Sequence, residues 1–169
     1  DDSPAVVLAA LLFDSTKQII NFSDYQSTIP GLSDWVEQLI AESTGKNQQG
    51  RLPIIIEHPD YAISGLSIGF TNGDFDLVVE GTLGEQFILW EWVTALLCYL
   101  LKVDPFDQPN VIEAKERTES ILSSIKNRSF VQPIPSYEDH EISTYSDDSY
   151  KNLTEFLKVD SKYVAIMAY

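Results

Sequence analysis

A carboxylate and an amide stand one helical turn apart in the segment WVEQLIAESTGK, residues 35–46. A helix over residues 32–43 places Gln38 and Glu42 together on one edge of an apolar stripe that begins at Trp35. A carboxylate on such an edge is expected to be half-desolvated, which raises its pKa and makes it a usable general base near neutral pH. An edge glutamate near a helix end is also often a solvated surface group, so the spacing alone leaves both interpretations open.

A second segment, DPFDQPNVIEAK over residues 104–115, carries a lysine in the second turn of a predicted helix. Lys115 borders the apolar face of that helix, one turn from Val111. Pro109 fixes the backbone angle of the first turn, and Gln108 lies near the free amide groups of the helix start, a natural position for meeting an anion. Lysines commonly extend from apolar borders into solvent, so the pattern alone favours a structural role for Lys115 over a catalytic one.

The composition is that of an acidic globular protein. The 169 residues are 44% hydrophobic and carry a formal net charge of −15, which repels nucleic acid and anionic membrane surfaces, so neither is expected as a partner. The single cysteine, Cys98, lies in an apolar run and is expected to be buried in a reducing compartment. That run, residues 87–101, is shorter than a membrane span and contains Glu91. With no signal peptide evident, we expect a cytoplasmic protein.

The sequence gives no sign of a metal or dinucleotide site. His58 and His140 are far apart and have no cysteine or carboxylate constellation around them. The glycines at 65 and 69 lack the third glycine and the helix of a dinucleotide loop. The acidic tail does not follow the calcium-loop pattern, so these residues form no recognisable metal motif.

The elements that must position these residues alternate along the chain. The helical segments are 4–13, 32–43, 83–102, 110–126 and 149–158, and the strand segments are 17–23, 51–58, 66–72, 75–81 and 161–169. Alternation of this kind predicts an α/β fold, with a mostly parallel central sheet and helices on both faces. Residues 127–152 are polar, acidic and proline-containing, which is typical of a linker or a surface loop.

Two segments also resemble a known family. FDQPNVIEAK (106–115) resembles the C-terminal signature of phosphoglucose isomerase, in which a helical lysine, here Lys115, follows the glutamine of an F-D-Q turn by seven residues. The helix and turn at 83–109 resemble the stretch that leads into that signature. WVEQLIAESTGK resembles the family's Q-x-x-x-E-S-x-G-K segment, matched here by Gln38, Glu42, Ser43, Gly45 and Lys46. Within that family, the sequence most resembles the isomerase module that some bacteria carry fused behind a transaldolase.

The resemblance implies a sugar-isomerase (SIS-type) three-layer sandwich. It implies interconversion of glucose 6-phosphate and fructose 6-phosphate through an enediol, with Glu42 as the base and Lys115 stabilising charge on oxygen. The residues that it implies for substrate binding are Gln38, Gln108, Gly45 and Lys46. It implies no metal and no organic cofactor.

The sequence departs from the family in three places. The G-G-R sugar-binding motif and the Ser/Thr-rich phosphate loop are absent, and His58 lies where a ring-opening histidine belongs but has different neighbours. These departures predict a fragment that is inactive alone: an SIS-type domain over 1–126, an acidic linker or surface loop over 127–152, and a helix end and strand over 153–169. The expected partners are the missing SIS domain and, in a homodimer, a second copy.

Two other functions stay open. A non-catalytic sugar-phosphate-sensing SIS module would keep the fold and ligand contacts, although the presence of both Glu42 and Lys115 speaks against it. An acidic protein-interaction domain would bind a basic partner through residues 127–152, so deleting them would abolish that binding and leave sugar chemistry untouched.

Overall fold

A computed structural model of the chain describes residues 3–14, 18–138, 143–145, 153–158 and 160. The chain forms two compact units, Asp1–Ile112 and Glu113–Tyr169. The elements of the first unit are α1 (Pro4–Asp14), β1 (Ile19–Ser23), α2 (Leu32–Thr44), β2 (Leu52–Ile55), a short 3-10 turn (Pro59–Tyr61), β3 (Leu66–Gly69), β4 (Leu77–Val78) and α3 (Leu83–Leu101). A further helix, α4 (Pro109–Lys126), begins in the first unit and ends in the second.

The first unit is built on a four-stranded parallel sheet with the strand order β2-β1-β3-β4. Phe22 of β1 pairs with Ile55 of β2 on one side and with Ile68 of β3 on the other. Helices flank this sheet, so the predicted α/β class is confirmed. The assignment to an SIS-type three-layer sandwich stays a prediction.

The predicted strands are longer than the observed ones, mostly at their carboxyl ends. The prediction of 51–58 extends past the end of β2, because Pro59 opens a 3-10 turn there. Of the strand predicted over 75–81, the structure shows only the two residues of β4, and among the described residues these pair with β3. Helix bounds were predicted within one residue for α1 to α4, since hydrophobic spacing and caps mark helices more sharply than they mark short parallel strands.

The core lies between one face of the sheet and helices α1, α2 and α3. Trp90 of α3 is fully buried, and its ring packs edge-on against Phe22 at a centroid distance of 5.4 Å. The indole N–H donates to Oε1 of Gln86 at 3.0 Å, and the Gln86 amide donates to the Val79 carbonyl at 2.7 Å. This buried tryptophan therefore has both apolar packing and a satisfied polar group, which is what a fully buried indole requires.

Two polar side chains fix the ends of elements around the sheet. Asn21 of β1 is fully buried; its amide donates to the carbonyls of Ile63 and Leu66, and its oxygen accepts from the Ile63 N–H. These bonds hold the loop that leads into β3. At the start of α3, Thr82 and Glu85 form a capping box, and the Thr82 hydrogen bonds lower the pKa of the Glu85 carboxyl.

In the second unit the structure describes α4, a two-strand ladder and a short helix. The strands β5 (Tyr137–Glu138) and β6 (Ser143–Thr144) pair antiparallel, and α5 covers Leu153–Phe156. The apolar side chains along α4 are exposed, namely Val111, Ile112, Ile121, Leu122 and Ile125. The predicted strand 161–169 and the first residues of the predicted helix 149–158 lie outside the described residues, and the division at 126 and 152 stays a prediction.

Two tryptophans on α3 provide a matched test of the core. Trp90→Ala should lower the free energy of unfolding by about 3–5 kcal/mol, because it opens a cavity and leaves Oε1 of Gln86 buried without its donor. Trp92 is 61% exposed on the same helix, so Trp92→Ala should cost under about 1 kcal/mol. Urea denaturation of both variants measures the difference, and equal losses would contradict this packing.

Candidate functional site

The buried stripe of α2 differs from the one that the helical spacing predicted. The buried residues of α2 are Leu32, Ser33, Val36, Ile40 and Thr44. Trp35 is only half-buried, and its ring lies 4.5 Å from that of Phe87, at the margin of this stripe. Because the prediction counted Trp35 as core, it placed Glu42 on the border of the buried face. Glu42 and Gln38 are in fact exposed, so the expectation of a half-desolvated carboxylate was wrong.

The Glu42 carboxylate is held between two glutamine amides. Nε2 of Gln38 donates to Oε1 of Glu42 at 3.0 Å, from one turn earlier on the same helix. Nε2 of Gln108 donates to the other oxygen, Oε2, at 3.1 Å, from 66 residues further along the chain. The sequence therefore predicted three polar residues that the structure brings together. Each carboxylate oxygen keeps lone pairs that these bonds do not use.

The fold brings Gln108 to Glu42 because α2 and α3 end at the same edge of the sheet. α2 connects two parallel strands, β1 and β2, so it must run back and end at the amino edge of the sheet. α3 follows β4 and packs along α2, and Cys98 near its end donates its S–H to the Ser43 carbonyl at 3.4 Å. The turn after α3 then carries Gln108 over the end of α2.

A buried ammonium joins the same two segments beneath this contact. The Lys46 side chain is only 6% exposed, and its ammonium lies 2.9 Å from Oδ1 of Asp107. It also donates to the backbone carbonyl of Asp104. The sequence did not indicate either aspartate as a partner of Lys46, although each belongs to the DPFD turn that precedes Gln108.

Gly45 allows the sharp turn between Glu42 and Lys46. The Gly45 N–H donates to the Ala41 carbonyl at 2.9 Å and closes the last turn of α2. A Cβ at this position would lie 2.6 Å from the same carbonyl oxygen, which is closer than real Cβ contacts allow. The glycine of the E-S-x-G-K segment thus has a backbone role in this structure.

Two clefts open on either side of the Glu42–Gln108 contact. The smaller has a volume of about 140 Å³ and the larger about 300 Å³. The smaller is lined by Ala41, Glu42, Gly45, Lys46, Gln108, Pro109 and Val111, and the larger by Trp35, Gln38, Leu39, Glu42, Ser43 and Gln108. The carboxylate can therefore be reached from solvent while its orientation is held by two amides.

Neighbouring carboxylates add negative charge on this helix. Burial raises the pKa of the Glu37 carboxyl, and the charges of Asp34 and Glu42 raise it further. Such a surface attracts no anion by itself. Any phosphate held here needs cations or free helix N–H groups from elsewhere in the protein.

Two further residues were singled out in the sequence, and each is described in its own unit. Lys115 is exposed on α4 in the second unit. Nδ1 of His58 accepts from the Asp60 N–H at 3.2 Å, and its ring packs 4.4 Å from that of Tyr25, so it belongs to a local turn after β2. Among the described residues, no group of three or more His, Cys, Asp or Glu could hold a metal ion. Over the same part of the chain, no helix is long and apolar enough to cross a membrane.

Comparison with known proteins gives partial matches. A stretch of 76 residues is 34% identical to the glucose-6-phosphate isomerase of Leptospira biflexa serovar Patoc, covering 45% of this chain and 16% of that protein. A stretch of 77 residues is 31% identical to the glucose-6-phosphate isomerase of Leptospira interrogans serogroup Icterohaemorrhagiae, covering 46% of this chain and 16% of that protein. The chain is similar to glucose-6-phosphate isomerases. No family model matches it. The matched stretches span only 16% of the length of these isomerases.

Cys98, beside the lysine of the isomerase-like segment, provides a pH test of this packing. Burial raises the pKa of its thiol to about 11, with Asp104 adding to the rise and Lys46 opposing it. Between pH 9 and 11 the unfolded chain loses this proton and the folded chain keeps it, so the free energy of unfolding should fall as the pH rises. At pH 10.5 the loss should be about 2 kcal/mol.

The Cys98→Ala variant is the control for the lysines and tyrosines that titrate in the same range. Urea midpoints of both proteins, measured from pH 7 to 10.5, should diverge above pH 9, with the wild type losing more stability. Parallel curves would show that Cys98 ionises equally well in the folded chain.

Proposed function

We propose that this chain is part of an aldose–ketose isomerase that interconverts glucose 6-phosphate and fructose 6-phosphate through an enediol. The observation that carries this proposal is the Glu42 carboxylate, held at both oxygens by the amides of Gln38 and Gln108 and open to a cleft on each side. The similarity to glucose-6-phosphate isomerases supports it.

Glu42 is the proposed base. It removes the proton from the carbon next to the sugar carbonyl, which leaves a planar enediol, and it returns the proton to the adjacent carbon. Such a transfer needs a lone pair aimed at the C–H bond and a carboxylate that does not rotate away. The two amide contacts occupy one acceptor position on each oxygen of Glu42 and leave others for the substrate proton.

The remaining residues have supporting roles in this proposal. Lys115 supplies a cation that stabilises the negative charge developing on oxygen as the enediol forms. Gln38 and Gln108 each carry a second amide N–H beyond the one that contacts Glu42, and these protons meet sugar hydroxyls or phosphate oxygens. Gly45 and Lys46 belong to the segment for which the resemblance implies substrate binding. Proton transfer of this kind uses acid–base groups alone, without a metal or an organic cofactor.

We propose that the isomerase activity requires a longer protein than the first unit. The relatives are far longer than the matched stretch, and the sequence lacks the family's phosphate loop and its G-G-R motif. We therefore assign the phosphate cradle and the ring-opening group to a second SIS-type domain, with a homodimer as a further source of site residues. The 169 residues alone are expected to be inactive. The enzyme is proposed to work in the cytoplasm.

A sugar-phosphate-binding module without catalysis is the second candidate, and the exposure of Glu42 favours it. General bases in isomerases work best in a partly dry site, and this surface is open. In the catalytic proposal the missing domain covers the clefts and dries them, whereas in the binding proposal nothing needs to do so.

Substitution of the two proposed catalytic residues tests the function. In the longest natural polypeptide that contains this sequence, Glu42→Gln should lower kcat about a hundredfold or more, because it removes the base but keeps the shape. The single variant Lys115→Ala should also lower kcat. The matched controls are Glu37→Gln on the same helix as Glu42 and Lys126→Ala on the same helix as Lys115. Both controls should keep kcat within about twofold.

Coupled-enzyme assays of fructose 6-phosphate conversion give these values. An active protein that is indifferent to Glu42→Gln would contradict the assignment of the base. A wild-type protein that binds hexose phosphate without converting it would establish the binding module instead.

A further inference from the structure

The Lys46 ammonium is enclosed by the turn that precedes Gln108. Its side chain is 6% exposed, and both acceptors identified for it, the Asp107 carboxylate and the Asp104 carbonyl, lie on that turn. A buried ammonium that lost these acceptors would be left unpaired, which is strongly unfavourable. The geometry therefore resists any move of Lys46 out to a ligand.

Two contacts join the end of α2 to the turn that follows α3, and one is more buried than the other. The inner contact is between Lys46 and Asp107, and the outer contact is between Glu42 and Gln108. Glu42 lies one turn before Lys46, and Asp107 directly precedes Gln108, so moving the inner contact moves the outer one. The outer contact is an exposed side-chain hydrogen bond, which contributes little net stability and does not by itself order a turn.

We propose that Lys46 and Asp107 are positioning residues that hold the Gln108 amide against the Glu42 carboxylate, and that Lys46 acts through Gln108 without touching the sugar phosphate. This inference rests on the proposed function for its effect on catalysis, but the contact that it assigns exists in the chain independently of any reaction. It replaces a direct substrate-binding role for Lys46 by a structural link to the base.

The first test observes Gln108 without any activity. In ¹H–¹⁵N spectra of the 169-residue chain, the Gln108 side-chain amide signals should be shifted from the positions of a free glutamine, and they should move when Glu42 is changed to Gln. Lys46→Met, which keeps the length but removes the charge, should bring these signals to the positions of a free glutamine. Lys46→Arg should restore part of the shift, because a guanidinium can still pair with Asp107.

Two further variants guard this test against unfolding. Asp107 is 54% exposed, so Asp107→Asn weakens the same pair with less risk to the fold and should release Gln108 in the same way. The control is Lys102→Met, which removes an exposed lysine just before the turn and should leave the Gln108 signals in place. Unchanged Gln108 signals in folded Lys46→Met and Asp107→Asn would overturn the proposal.

A double-mutant cycle on turnover separates positioning from direct binding. If Lys46 acts through Gln108, the Lys46→Met/Gln108→Ala double variant should lose no more kcat/KM than the worse single variant, within about twofold. If Lys46 binds the phosphate directly, the two losses should multiply and Lys46→Met alone should mainly raise KM, which would overturn the proposal. Absence of turnover in the wild type would refute the proposed function, whereas the Gln108 spectra would still decide the positioning role.

Discussion

The parallel direction of β1 and β2 is the constraint from which the site follows. Two parallel neighbours cannot be joined by a hairpin, so α2 must carry the chain back across the sheet and end at its amino edge. α3 makes the same return journey after β4, and the ends of both helices meet. Glu42 and Gln108 come together there although 66 residues separate them. Open α/β sheets more often bind ligands at the opposite, carboxyl edge. At that edge the first turn of α2 already has a protein acceptor, because the Asp24 carboxylate accepts the N–H groups of Gly31 and Ser33 at 2.5 and 2.9 Å.

The negative charge of the chain limits which ligands the site can bind. The chain carries a net charge of −15, and on α2 the pKa of the Glu37 carboxyl is raised by burial and further by the charges of Asp34 and Glu42. Lys46, the lysine of the E-S-x-G-K segment, has a buried side chain and is already paired with Asp107. An anionic sugar phosphate therefore needs positive groups other than Lys46, and we assign these groups to the proposed second domain.

Much of the fold could be predicted from the sequence, because its helices carry strong local signals. Apolar spacing gave α1 to α4 within a residue or so, and the apolar run around Cys98 correctly predicted a buried thiol. The position of Glu42 on α2 was wrong for a physical reason: Trp35 is large and apolar, yet it covers the rim of the core and leaves its centre to Val36 and Ile40. A helical wheel weights residues by type, so it cannot distinguish a side chain at the rim of the core from one at its centre.

The candidate site was predicted in part. Resemblance to an isomerase segment singled out Glu42, Gln38 and Gln108, which do meet, and Lys115, whose role stays a prediction. The pairing of Lys46 with Asp107 could not be predicted, because it depends on how α3 ends and turns, and no local pattern encodes a contact across that distance. The contacts of the buried Lys46 ammonium nevertheless explain why a lysine follows the glycine turn, because they link the end of α2 to the turn after α3.

The most direct test of the central claim, that Glu42 moves a proton on a hexose phosphate, is the fate of a label at carbon 2. Glucose 6-phosphate deuterated at that carbon would be incubated with the longest natural polypeptide that contains this sequence, and the deuterium remaining at carbon 2 would be measured by NMR. We predict that the wild type removes the label from carbon 2, either to carbon 1 or to solvent, and that Glu42→Gln does so at least about a hundredfold more slowly. Loss of label at the wild-type rate from the Glu42→Gln protein would contradict it.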